Sequence, residues 1–438
     1  MPGQILTIIS TILQNITFLV VLIVFVFIAI DIGKKFWLIA IHRKTLAGMK
    51  WVLLEITIPR GNLKSAKAME QVFTSIHSIK SGPFKFWDTW WKGKMEEWVS
   101  FELVGDATGI SFYVRVPAKK RAMVEAAFLS QYPESEINET EDYLSSFGET
   151  VPNDVYDLFG LDFVLSKDDH LPIRTYLAFE ENIEERRIDP LATLFEALSA
   201  LRDDEVVLMQ LLVRGTEVDL KDKADEMISK VMGRPGKAKK SSGTDFIMKF
   251  ITNFIMAINP LDSTKEPTWG AAKKEDKGGG AKSSPGEQDI LKAVGNKISK
   301  ATFECILRLI YIDGKESFND SNVTAIQGAI KQFNIPNMNG FKPNKDTMTT
   351  PSSVGRFMRT AKLLKKKQKL FQAYVDREMP ELPKVPGKLN LKTSIYSVEE
   401  LATIYHPPTT YVGAPNLKHL EAKKGSAPMN LPIVQDYK

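Results

Sequence analysis

Apolar side chains follow one another without a single charge from Ile5 to Ile30, densest in ITFLVVLIVFVFIAI. The run exceeds the ~20 residues a helix needs to cross the hydrocarbon core of a bilayer. It predicts a membrane-spanning anchor over residues 1–35. No Lys or Arg precedes Lys34 and no small-residue cleavage site follows, which separates the run from a secretory signal. The pattern then changes period. WVLLEITIP (51–59) is a β-branched strand ended by proline, and KSAKAMEQVFTSIHSI (64–79) sets Ala68, Val72, Phe73, Ile76 and Ile79 at helical spacing. Strands at 98–104 and 110–116 flank a Gly-Asp-Ala-Thr-Gly turn and predict a hairpin. AKKRAMVEAAFLSQY (118–132) predicts a second amphipathic helix, with Met123, Ala126, Ala127 and Tyr132 among its inward candidates. ESEINETE supplies a short strand near 135–140. The order β-α-β-β-α-β over 51–142 is that of a ferredoxin-like unit, two helices on one face of an antiparallel sheet.

A related order recurs. Strands at 158–166 and 173–180, a helix at 191–201 after Asp189-Pro190, strands at 205–215 and 301–314, and a helix at 321–333 predict a second such unit over 158–345. A flexible insertion at about 233–288 interrupts it. The fold class is therefore α+β: anchor, juxtamembrane segment (36–50), two ferredoxin-like units, a basic helix within 350–380 and an extended tail over 381–438.

Within the insertion, KEDKGGGAKSSPG (274–286) has the look of a phosphate loop. The Walker pattern requires glycine where Asp276 and Ala281 stand, so the stretch reads as a linker. FIMKFITNFIMAI (246–258) gives a helix of roughly 20 Å, too short to span a bilayer. Its candidate membrane contacts are Phe246, Ile247, Phe250 and Phe254, assisted by Lys237, Lys239 and Lys240; docking on its own domain or on a partner subunit is the competing reading.

Charge refines the topology. Lys34, Lys35, Arg43, Lys44 and Lys50 follow the apolar run, so the positive-inside bias puts the N-terminus outside and the body in the cytoplasm, at the inner membrane. The lone cysteine, Cys305, excludes an internal disulfide and suits a reducing compartment. The five histidines share no ligand spacing, so neither metal nor cofactor is expected. No nucleophile–base or H-E-x-x-H pattern occurs, and the chain reads as a non-enzyme. FKFWDTWWKGKMEEW (84–98) holds four of the seven tryptophans, a concentration that suits a membrane interface or a partner, or else an aromatic plug beneath a loop.

RFMRTAKLLKKKQK (356–369) carries seven basic residues and no acid. Arg356, Arg359, Lys362, Lys366 and Lys369 are its candidate contacts to an anionic partner, whether DNA bound without sequence preference, lipid or acidic protein; a solvated helix face is the ordinary alternative. Phe357, Leu364 and Phe371 form its apolar stripe.

The tail opens a capped helix with Ser397 three residues before Glu400, stopped by Pro407-Pro408. Leu401, Ile404, Tyr405, Leu417 and Leu420 must pack on the preceding domain or on another molecule. With WVLLEITIPR, AMEQVF and EELATIYHPP…NLPI, the chain resembles an uncharacterised family of membrane-anchored proteins of candidate-phyla bacteria. It is also similar to the segments that precede the motor in conjugation-type (type IV secretion) and HerA-like DNA-translocating ATPases. The resemblance implies a scaffold of such a machine, homo-oligomeric and placing a separate ATPase or other secretion component at the cytoplasmic face. The alternative is an anchored nucleic-acid-binding protein.

Overall fold

Side chains alternate across each strand, and the strands of this chain are apolar on both faces over most of their length, which predicts a sheet covered on both sides. The computed structural model describes residues 2–59, 62–78, 80–179, 189–216, 218, 220–231, 285–350, 359–380, 387–410 and 419–420. The apolar run is part of helix α1 (Pro2–Ala47), within which Gln14–Ala47 is long and apolar enough to cross a membrane. There follow β1 (Trp51–Pro59), α2 (Ala66–His77), α3 (Phe86–Lys92), β2 (Trp98–Asp106), β3 (Gly109–Pro117), α4 (Arg121–Gln131) and β4 (Glu136–Thr140). These strands lie in the order β4-β1-β3-β2, all antiparallel.

Next come β5 (Tyr156–Leu165), α5 (Ala192–Ser199) and β6 (Val206–Gly215). Helices α6 (Lys221–Val231) and α7 (Pro285–Ser299) pack on each other in a separate compact unit, residues 218–299. The rest of the chain is one unit. It resumes with β7 (Thr302–Gly314), α8 (Asp320–Lys331) and β8 (Phe341–Pro343), and the second set of strands has the order β6-β7-β5-β8. β2 and β6 pair antiparallel from Trp98↔Arg214 to Gly105↔Val207, which fuses the two halves into one mainly antiparallel sheet.

The chain closes with α9 (Arg359–Val375), β9 (Ser394–Ser397), α10 (Val398–Ile404) and β10 (His419–Leu420). β9 takes up the β7 edge at Thr302–Cys305, where β5 has ended. β10 pairs with Ile58–Pro59 of β1, the one parallel pairing among the described residues. One face of the sheet (Phe101, Phe112, Leu161, Leu211, Leu307) is covered by α2, α4, α5, α8 and α10. The other (Val104, Leu158, Leu208, Ile310) is covered by α9 and by the segment around Leu144 and Phe147.

Two expectations are corrected. The described part of 173–180 is not a strand; it turns through Tyr176–Ala178, because its backbone donors are claimed by α10. Ile173 N–H donates to Glu400 (3.0 Å) and Tyr176 N–H to Thr403 Oγ1 (2.9 Å). In α4 the buried stripe is Val124, Ala127 and Phe128, with Tyr132 just beyond the helix, while Met123 and Ala126 face outward. The helix starts at Arg121, and counting from there at i, i+3 and i+4 selects Val124 rather than Met123. The tail, by contrast, folds its expected capped helix and packs it on the preceding domain. It contains β9 and α10 with the Ser397–Glu400 capping box formed, and Leu401, Ile404 and Tyr405 are buried in the main core. Tyr405 packs edge-on against Phe101 and Phe112, at 5.3 and 5.7 Å between centroids. Leu417 and the apolar block 246–258 lie outside the described residues.

Candidate functional site

The basic helix is two things in one element. Its last turns, Leu370, Phe371, Ala373 and Tyr374, are buried on the sheet. Toward its start, Arg359, Lys362 and Lys365 are exposed. Lys366 donates to the Lys345 carbonyl (3.0 Å), Lys369 donates to the Gly387 carbonyl, and Lys367 forms an ion pair with Asp157 (2.7 Å). The predicted cationic set is thus split between solvent and the fold's own carbonyls; Arg356 and Phe357 lie outside the described residues, and Leu364 is exposed.

Beneath α9 runs a row of polar side chains set directly opposite one another across neighbouring strands. Asp162 (β5) faces Arg308 (β7), which faces Gln210 (β6), which faces Glu102 (β2), which faces Tyr113 (β3). Asp162, Arg308, Gln210 and Glu102 are fully buried. Arg308 donates to Asp162 (2.7 Å), Gln210 (3.2 Å) and the Ala373 carbonyl (2.7 Å). Gln210 donates to Glu102 and to the Tyr374 carbonyl, both at 3.1 Å. Arg377, just past α9, engages both oxygens of Glu102 and reaches Asp142, and Tyr143 donates to Glu102 at 2.7 Å. Burial alone would raise the Glu102 carboxyl, but the Arg377 charge and the donors around it hold it below the usual range. Burial, reinforced by Glu102, pushes the Tyr143 and Tyr374 hydroxyls well above theirs.

These groups are bonded to one another and to the α9 backbone away from solvent, so the row works as a clamp between α9 and the sheet. Arg377 adopts φ of 50°, a left-handed conformation that costs a non-glycine residue roughly 1–2 kcal/mol and is retained here by its carboxylate partners. Arg308 Nη2 and Asp162 Oδ2 have no partner among the described residues.

A second buried pair sits on the opposite face. His406 lies 3.1 Å from Asp189 through Nε2, while its Nδ1 meets the Ala402 carbonyl at 2.7 Å. Asp189 also accepts from the Leu191 and Thr409 amides. With both ring nitrogens committed, the pair fastens the segment after α10 to the start of α5. Among the described residues, no group of His, Cys, Asp and Glu has the arrangement of a metal site, and Cys305 is buried in β7.

The third feature lies where α1 meets the body. Trp37 of α1 donates its indole N–H to the Trp90 carbonyl (2.8 Å), and its ring lies 6.3 Å from Trp91. Rings continue outward from Trp91 to Trp87 (4.8 Å) and from Trp87 to Phe86 (6.2 Å). Gly93 ends α3 with φ of +61°, and a Cβ there would come within 2.8 Å of the Ile41 carbonyl of α1. Only glycine suits both the conformation and the close approach. Beside this junction a cavity of about 940 Å³ is lined by Lys44, Lys50, Lys92, Lys94, Lys119 and Glu97, among others. Glu97 is paired with Lys120 (2.9 Å), and Lys92 and Lys94 share Asp88. Lys44, Lys50 and Lys119 are exposed, with no carboxylate partner among the described residues.

A family model described as "Domain of unknown function (DUF8128)" matches residues 44–418, more than half of the chain. The chain belongs to the DUF8128 family. Curated proteins give no match to it. The DUF8128 match begins at Lys44, in the last turn of α1, so it takes in the sheet, its covering helices and the lysine-lined cavity but not the apolar run.

The polar row escaped the sequence reading. Its signal was there: Asp162, Gln210, Arg308 and Glu102 stand in mid-strand, each with an apolar residue on either side in sequence. Such a residue is buried and needs a partner, but only strand register says which.

Proposed function

We propose that this DUF8128 chain is a membrane-anchored, non-catalytic scaffold with its body on the cytoplasmic side of the inner membrane. On this reading the sheet is a pair of ferredoxin-like units joined edge to edge, consistent with the mirrored strand orders on either side of β2 and β6. The observation that carries the proposal is the continuity of α1, which runs unbroken from the apolar segment into the body and docks there through Trp37 and Gly93. Such a helix holds a body at a fixed orientation to a bilayer. The resemblance of its outer segments to the pre-motor region of conjugation-type and HerA-like ATPases supports a role in placing a separate ATPase, with the scaffold in several copies. The buried carboxylates Glu102 and Asp162, each held by an arginine, support a structural rather than catalytic use of the core.

The test is topology together with partner capture. A reporter fused after Lys438 is expected to stay inaccessible from outside intact cells, and purification in high salt to retain an ATPase. An accessible reporter sinks the topology, and a preparation free of ATPase sinks the scaffold role. The exposed Arg359, Lys362 and Lys365 favour one second reading, non-specific DNA binding, for which the expected sign is a steep loss of DNA affinity with salt.

A further inference from the structure

The junction between α1 and α3 exposes what a soluble surface ordinarily hides. Trp37, Phe86, Trp87 and Trp91 form a continuous row of rings, each more than half exposed. The row starts on α1 itself. Trp37 lies seven residues past Ile30, roughly 10 Å along the axis, and the polar zone of a bilayer leaflet is about 5–8 Å deep. Helix side chains lean toward the N-terminus, so the Trp37 ring reaches back from just beyond that zone into the headgroup layer, where tryptophan is favoured because its ring is apolar and its N–H polar. Directly behind it, Lys92 ends α3 and Lys94 follows its cap, both on Asp88, while Lys44, Lys50 and Lys119 line the same cavity with no carboxylate partner among the described residues, and Glu97 is held by Lys120.

We propose that this aromatic row and its lysine-lined cavity form a docking surface for anionic phospholipid of the leaflet that α1 enters. The inference rests on the reading of α1 as a membrane anchor. The rings enter the headgroup layer and the lysines select phosphate-bearing lipids of net negative charge. Three observations converge on lipid as the occupant: continuity with the apolar surface of α1, aromatic side chains at the right height, and charge complementarity. The Trp37–Trp90 hydrogen bond and the close Gly93–Ile41 approach make the surface rigid, so docking fixes the tilt of the body as well as its depth.

The experiment uses the full chain in phosphatidylcholine nanodiscs containing a minor share of either brominated phosphatidylglycerol or brominated phosphatidylcholine, with tryptophan quenching as the readout. Brominated phosphatidylglycerol is expected to quench several-fold more efficiently, since each lysine near an anionic surface is worth about fivefold in binding. The K44Q/K92Q/K94Q variant is expected to lose that preference while keeping the quenching by phosphatidylcholine. W87S/W91S should lower quenching by both lipids to the part that Trp37 supplies. Equal quenching of the unmodified chain by the two lipids overturns the proposal without needing any variant. Loss of the preference in inorganic phosphate, but not in chloride of equal ionic strength, identifies a soluble-phosphate site and overturns it too. Alkaline carbonate extraction separates the two readings. A chain that stays in the membrane yet shows no lipid preference defeats this inference alone, whereas a chain released by carbonate defeats the anchor and the docking surface together.

Discussion

Arg377 closes on Glu102 with two parallel hydrogen bonds, Nε at 2.9 Å from one carboxylate oxygen and Nη2 at 3.0 Å from the other. The two residues are far apart in sequence, and both are buried. A pair of this kind contributes little net stability compared with apolar residues, but losing one member strands the other charge without solvent. R377A is therefore expected to lose about 3–5 kcal/mol of unfolding free energy. The double variant R377M/E102L should recover much of it. Urea denaturation of the two variants checks this, and a double variant no better than R377A counts against the clamp.

Acid should weaken the same contact. Glu102 and Asp142 titrate lower in the folded protein than in the unfolded chain: burial pushes both up, but Arg377 more than reverses it. Their contribution is then complete above the unfolded range, near pH 4–4.5, and is lost as pH falls through the folded values. The melting temperature is expected to be flat from neutrality to about pH 5 and to fall below about pH 4. E102Q should start lower and fall less steeply. A wild-type melting temperature that rises on acidification contradicts the assignment.

The C-terminal elements should behave as core. Leu401 has no solvent exposure and sits between the sheet and α2, so L401A is expected to cost about 2–5 kcal/mol. Glu400 serves both the Ser397 cap and the Ile173 amide, and E400A should cost about 1–3 kcal/mol. Removal of residues 394–438 should leave a body that no longer unfolds cooperatively. A truncated body with an unchanged thermal midpoint would show that α10 is dispensable.

The docking of α1 depends on a single missing side chain. In G93A the new Cβ meets Thr45 Oγ1, which is a side-chain atom, and the Ile41 carbonyl, which is backbone. Cross-linking of engineered cysteines at Thr45 and Lys92 should therefore be efficient in the parent and weak in G93A. The native Cys305 is buried in β7 and does not compete. Equal cross-linking in the two proteins would mean that the approach is not glycine-dependent.

Much of the α+β pattern was legible because strand and helix differ in period. Val72 and Phe73 face the core as their spacing requires, and Asp106 closes the β2–β3 turn by accepting from the Thr108 and Gly109 amides. What was not legible depends on distant partners. The stretch around Ile173 has the composition of a strand, but Glu400 and Thr403 take its amides. β8 has three residues and ends in proline, too short to carry an alternation. Arg377 stands where a helix end usually calls for glycine, and no local rule predicts that Glu102 will hold it there. The junction was half visible: the tryptophans stood out, but that Trp37 begins their row required the fold.

The position of β9 on the β7 edge has a consequence for the order in which the protein is made. A ribosome adds about 5–20 residues each second, so α1 emerges roughly 20–70 s before Tyr405 is added. Throughout that interval the sheet lacks the strand at Thr302–Cys305, and the face that α10 covers stays open. A helix long and apolar enough to cross a membrane is thus complete while the rest is still an unfinished chain, and the body acquires its final shape only afterwards.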